Sequence, residues 1–342
     1  MPRAKLLVVD AQEGRLRHAP REALADLLLP GDLVIANDAA TLPASLHGVH
    51  VARRQAIEVR LAGRRSLSEV ADFSAVVFGA GDFHLRTEDR PMPPPLASGD
   101  RLALGPIHAT VTAVLGHPRL VSVHLEGSSD TIWAGIARHG RPIQYAHAPD
   151  PLVLWDVWTP IASPPVAFEP PSAGFALDWR TIAALRARGI AFATITHAAG
   201  ISSTGDPALD ALLPFDEPYD IPEAAARAVA GARLGGRRII AIGTTVVRAL
   251  EHAALRDGVV RAGPGIATQR IGRGTHLRIV DALLTGVHER GTSHYQLLRA
   301  FAGDAILSTA DEALAAHAYR PHEFGDSVLV LPPVPAETRG VV

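Results

Sequence analysis

Hydrophobic positions divide the chain into three textures. In the first fifty residues, LLVVD at 6–10 and DLVIAND at 32–38 are short apolar runs that predict buried strands. Between them REALADLLL at 21–29 has helical spacing and stops at Pro30-Gly31. From about 51 to 148 the runs AIEVRLAG, FSAVVFGAG, FHLRT, DRLALG, HATVTAVLG and LVSVHLEG alternate or are β-branched, with Gly, Pro and Asp between them. That spacing predicts a small antiparallel β-barrel or sandwich. After the proline-rich SPPVAFEPPSAG at 163–174, helices and strands alternate. DWRTIAALRARG (178–189), PEAAARAVAGARLGG (222–236), TTVVRALEHAALRDG (244–258) and a stretch near 310–319 read as helices. IAFATITH (190–197), RRIIAIG (237–243) and DSVLVL (326–331) read as strands. The fold class is therefore mixed α/β, a helix-covered sheet with a small antiparallel β-barrel set into it. The expected division is an α/β domain from 1–50 and 149–342, with the barrel at 51–148.

The length of 342 residues suits two domains, and 47% hydrophobic with 20% charged residues is a globular balance. The absence of cysteine excludes a disulfide framework, thiolate metal or iron–sulfur sites and a cysteine nucleophile. The longest apolar runs are too short to span a bilayer, and no signal-like core precedes Asp10. The expectation is a soluble, cytoplasmic protein with no membrane partner. Net charge is -2, so bulk electrostatics do not mark a nucleic-acid binder. The pairs Arg53-Arg54, Arg64-Arg65 and Arg237-Arg238, with Arg270, Arg273 and Arg278, track a phosphate backbone if they converge; otherwise they are solvated surface charge.

Three segments carry candidate chemistry. GTTVVRALE at 243–251 follows a strand and opens a helix. Gly243 permits a tight turn, Thr244 or Thr245 can cap the helix, and the first-turn N–H groups suit an anion or a carbonyl. The same residues also make an ordinary strand-to-helix turn, and no phosphate-loop pattern is present. THAAGISSTG at 196–205 places His197 at a strand's end among small residues, Gly200 included, that let backbone approach a ligand. His197 there is a base, a donor or a structural histidine. VDALLTGVHERGTSHY at 280–295 carries Asp281 and His288, either on one helical face or on a strand that ends in a loop. No metal-ligand spacing and no G-x-S-x-G elbow appears.

Together with PGDLVIANDAATLPASLHG (30–48), IEVRL (57–61), PPSAG (170–174), AFAG (300–303) and YRPHEFGDSVLV (319–330), these segments follow the order and spacing of one family. The chain resembles the S-adenosylmethionine:tRNA ribosyltransferase-isomerases of queuosine biosynthesis from about residue 4 to 331. The GTT-x-VR-x-LE and VDAL-x-T-x-x-H signatures are the most specific part. The resemblance implies an α/β domain interrupted by a barrel, S-adenosylmethionine as substrate, tRNA as partner and no metal. It implies transfer of the ribosyl part of S-adenosylmethionine to 7-aminomethyl-7-deazaguanine in tRNA, giving epoxyqueuosine, adenine and methionine. By matching position it points to Gly243, Thr244, Thr245, Arg248, Tyr219 and Gly200 for binding, and to His197, Asp281, His288 and Glu217 for catalysis. Ala40, Ser45, Ala176 and Phe215 stand where the family pattern has Arg or His. Those exchanges define the alternatives: an S-adenosylmethionine enzyme with a small-molecule acceptor, or a non-catalytic nucleoside-binding relative.

Overall fold

The computed structural model describes residues 4–322 and 324–331; the rest of the expected α/β domain's termini and Glu323 lie outside them. Strands β1 (Lys5–Asp10), β2 (Arg15–Pro20) and β3 (Leu33–Asn37) open the large sheet, and the short β4 (Ala40–Thr41) leads out of it. Six strands then close a barrel: β5 (Ser45–His50), β6 (Gln55–Gly63), β7 (Asp72–Phe78), β8 (Arg101–Leu104), β9 (Ile107–His117) and β10 (Leu120–Leu125), ordered β10-β7-β6-β5-β8-β9. Helices α1 (Ser129–His139) and α2 (Leu154–Val157) follow. Strand β11 (Pro165–Ala167) pairs in parallel with β4, so the chain's exit to the barrel and its return are joined.

The remaining elements are α3 (Trp179–Ala187), β12 (Ala191–His197), α4 (Pro207–Asp210), β13 (Glu217–Ile221), α5 (Glu223–Leu234), β14 (Ile239–Ile242), α6 (Thr244–Ala253), β15 (Gly263–Ala267), β16 (Ala282–Gly286), α7 (Ser293–Leu298), α8 (Asp304–Ala316) and β17 (Ser327–Leu331). They complete a nine-stranded mixed sheet ordered β15-β13-β12-β3-β14-β16-β17-β1-β2. Its centre, β12-β3-β14-β16, is parallel. Central strands are covered on both faces: Leu33 and Ile35 join one core, Val34 and Ala36 the other. A third core fills the barrel.

The structure departs from the sequence pattern in physically consistent places. REALADLLL forms a 3-10 helix over Arg21–Leu27 rather than an α-helix, and FHLRT forms no strand. Strands β2 and β15 were not expected, and they are the two edges of the sheet. Edge strands tolerate the charges of RLRHAP and the Pro and Gly of GPGIA that a central strand excludes.

Inside the barrel, Glu58 accepts from Arg60 Nε (2.7 Å) and Ser45 Oγ (2.7 Å) and pairs with Arg90, all of them buried. Burial alone raises a carboxyl pKa, but Arg60 and Arg90 outweigh it and hold Glu58 at about 2. The Arg60 guanidinium lies 5.4 Å from the Tyr145 ring centre, which faces the candidate site. Glu58→Gln leaves two buried cations without their anion, and its expected cost in denaturant unfolding is about 3–5 kcal/mol. Because the folded pKa is depressed, this contribution is present at neutral pH. It fades as pH falls from the usual carboxylate range toward 2.

Candidate active site

The carboxyl ends of β3, β12, β14 and β16 lie along one sheet edge, the place where open α/β sheets bind ligands. Asn37 ends β3 and clips the backbone of His197 at the end of β12: Oδ1 accepts from His197 N (2.9 Å) and Nδ2 donates to His197 O (2.9 Å). The same Nδ2 donates to Thr245 Oγ1 (3.3 Å). Gly243 follows β14 with φ +98°, a conformation a side chain rarely adopts. It is the N-cap of α6, which has no side-chain cap. The expected Thr244 or Thr245 cap is therefore replaced by a glycine turn that leaves first-turn N–H groups facing a cavity.

That cavity holds about 270 Å³, and Gly200, Glu217, Gly243, Thr244, Thr245, Arg248 and His288 all line it. Glu217 Oε1 accepts from Gly200 N (2.6 Å), and Oε2 pairs with Arg248. A Cβ on Gly200 would stand 2.9 Å from Glu217 Oε1, so this approach needs glycine. Burial pushes the Glu217 pKa up, against the opposing pull of Arg248. Arg248 also donates to the carbonyls of Ala267 (2.8 Å), Phe215 (3.2 Å) and Gln269 (3.3 Å), which ties α6 to β13 and β15.

His288 Nε2 lies 2.7 Å from Thr285 Oγ1, and its ring stacks on His294 (4.7 Å between centres). Burial, then His294 and His322, hold its pKa well below the ordinary value, so the ring is neutral.

Three expected residues lie off the cavity wall. His197 is fully buried behind it, 3.5 Å from Glu217 Oε2 and parallel to the Tyr219 ring. Tyr219 meets His252 Nδ1 at 3.0 Å. Asp281 is not brought to the others: it precedes β16 at the opposite end of the parallel strands, where Oδ2 accepts from Ile239 N (2.8 Å). Ala40, Ser45 and Ala176 are buried, and with Phe215 they line neither this cavity nor its neighbour.

The neighbouring cavity, about 500 Å³, lies between the barrel-side turn Arg86–Glu88 and the loop after β16. Glu169 and His288 line both cavities. Glu169 was not legible in the sequence, where it sits inside a proline-rich connection, and Tyr145 and Asn37 were missed with it. Among the described residues no group of three or more His, Cys, Asp or Glu could hold a metal ion, and no helix is long and apolar enough to cross a membrane.

His197 is held neutral by burial first and by Arg248 second. A histidine that stays neutral when folded but takes a proton when unfolded costs stability as pH falls below about 6.5, by about 1.4 kcal/mol per unit. His197→Phe is expected to flatten the fall of unfolding free energy between pH 6.5 and 5, measured by denaturant titration at each pH.

Known proteins are similar to this chain along nearly its whole length. The family described as queuosine biosynthesis protein matches residues 2–330. S-adenosylmethionine:tRNA ribosyltransferase-isomerases from Anaeromyxobacter dehalogenans and Sorangium cellulosum are each 32% identical, with 96% of this chain and 92% of theirs aligned. A crystal structure of S-adenosylmethionine tRNA ribosyltransferase from Thermotoga maritima is similar in fold at TM-score 0.50 and 22% identity, covering 96% of this chain and 92% of that one. By sequence along its length and by fold, this chain belongs to the queuosine biosynthesis protein family.

Proposed function

We propose that this protein is an S-adenosylmethionine:tRNA ribosyltransferase-isomerase. It moves the ribosyl part of S-adenosylmethionine to 7-aminomethyl-7-deazaguanine in tRNA, giving epoxyqueuosine with release of adenine and methionine. The observation that carries this reading is convergence. The GTT-x-VR and VDAL-x-T-x-x-H segments, the most family-specific in the sequence, meet at one cavity on the sheet's carboxyl edge. A tRNA-modifying role fits a cytoplasmic protein.

In this reading S-adenosylmethionine occupies the smaller cavity. Its sulfonium acidifies the adjacent C5′ hydrogens, and the neutral His288 imidazole takes one of them. When Nε2 donates to Thr285 Oγ1, Nδ1 carries the lone pair that accepts the proton. The first-turn N–H groups of α6 and the Thr245 hydroxyl stabilise the ribose oxygen as it gains charge. Glu217, locked to Arg248 and Gly200, shapes the wall, and His197 acts through Glu217.

The direct test incubates the pure protein with S-adenosylmethionine and tRNA carrying 7-aminomethyl-7-deazaguanine, then seeks epoxyqueuosine by mass spectrometry. Release of adenine with unmodified tRNA would remove tRNA as the acceptor. His288→Gln is expected to slow turnover by ~10²–10⁴-fold, the usual worth of a positioned base, with S-adenosylmethionine affinity by calorimetry little changed. With the His288 pKa depressed, the acid limb of the rate profile is expected below about pH 6.5. Thr245→Ala is expected to weaken S-adenosylmethionine binding in the same calorimetric measurement, and an unchanged affinity would remove Thr245 from the site.

A further inference from the structure

The larger cavity has a built wall of flat rings. The His147 and His322 rings stack 3.9 Å apart at 13°, and Tyr145 continues the stack, its ring centre 6.0 Å from His147 and also at 13°. His147 follows α1 and His322 precedes β17, so two distant segments build one platform. Both of its histidines are exposed. At its inner end the Glu169 carboxylate is fixed in place: Oε2 accepts from Ser202 N (3.0 Å), and the Tyr145 hydroxyl bonds Oε1. Glu169 is 6% exposed and lines both cavities.

We propose that the larger cavity is the subsite for the acceptor base, which stacks on the His147–His322 pair while Glu169 binds its cationic aminomethyl arm. This rests on the reaction proposed above and adds the residues that select its acceptor. Enzymes that modify a base take it out of the stack. Proteins recognise an unstacked RNA base with planar side chains and read its edge with fixed polar groups. An ammonium beside a fixed carboxylate makes a short, charge-assisted bond that a guanine lacking the arm does not offer. The location suits group transfer: Glu169 and His288 stand on the wall common to donor and acceptor, and the bound ammonium passes a proton to the Glu169 carboxylate, which frees the nitrogen lone pair for attack.

The experiment measures equilibrium binding of the full chain to anticodon stem-loops carrying 7-aminomethyl-7-deazaguanine or guanine at the wobble position, beside S-adenosylmethionine calorimetry. The wild type is expected to prefer the aminomethyl RNA by about tenfold or more. Glu169→Gln is expected to erase that preference and leave guanine RNA affinity in place. Tyr145→Phe keeps the ring but releases Glu169, and is expected to reduce the preference. His147→Ala is expected to weaken both RNAs by about tenfold, His147→Phe to restore them, and neither to change S-adenosylmethionine affinity. Retained preference in Glu169→Gln, or equal RNA affinities for the Ala and Phe variants at 147, would overturn the subsite. So would a loss of S-adenosylmethionine affinity in His147→Ala, since the cavity would then serve the donor. A wild type that binds with preference but makes no epoxyqueuosine would sink the reaction and leave the subsite standing. Turnover without preference would sink the subsite alone.

Discussion

A single buried carboxylate organises the carboxyl edge of the sheet. Glu217 accepts from the Gly200 amide, pairs with Arg248 and lies against His197. A charge taken out of water is tolerable only when its partners are fixed, so each of these contacts constrains the next. Arg248 in turn holds carbonyls at Phe215, Ala267 and Gln269. One ion pair thus sets the loop after β12, the start of β13, the end of β15 and the second turn of α6. The Asn37 clip on the His197 backbone supplies the same constraint from β3 and reaches Thr245. The cavity wall is thus tied together by contacts from β3, β12, β13, β15 and α6.

Much of this was legible in the sequence because the central strands are buried on both faces. Runs such as LVIAN and IIAI read as strands without help from their neighbours. The GTT turn was legible because glycine after a strand and before a helix has few other uses. What escaped reading lies where another segment, and not the residue pattern of the segment itself, decides the structure. Edge strands β2 and β15 are defined by β1 and β13 and carry none of the apolar pattern of a central strand. Glu169 and Tyr145 are 24 residues apart and meet only because the chain returns from the barrel beside its own exit. Asp281 shows the reverse case: a residue within a family-specific segment whose side chain braces the start of β14, at the far end of the strands from the cavity.

The barrel reaches the cavities through a chain of contacts. Glu58 fixes Arg60, Arg60 lies over Tyr145, and Tyr145 meets Glu169. Ser45, one of the positions where the family pattern carries arginine, donates to that same Glu58. The cations that pair with Glu58 are Arg60 and Arg90. Ser45 thus belongs to the buried polar network of the barrel.

Four of the barrel's arginines turn inward. Arg60, Arg90 and Arg119 surround the Phe78 ring at 4.9, 5.2 and 5.0 Å, and Arg64 is buried as well, donating to the carbonyl of Val166 (2.7 Å). Arg238 is committed to Asp32. Cations spent in this way cannot neutralise phosphates, and a protein that neutralises few phosphates releases few counterions. Any phosphate contact made by the barrel therefore falls to its exposed arginines, Arg53, Arg54, Arg65, Arg86 and Arg101, and the inward four contribute nothing to its salt dependence.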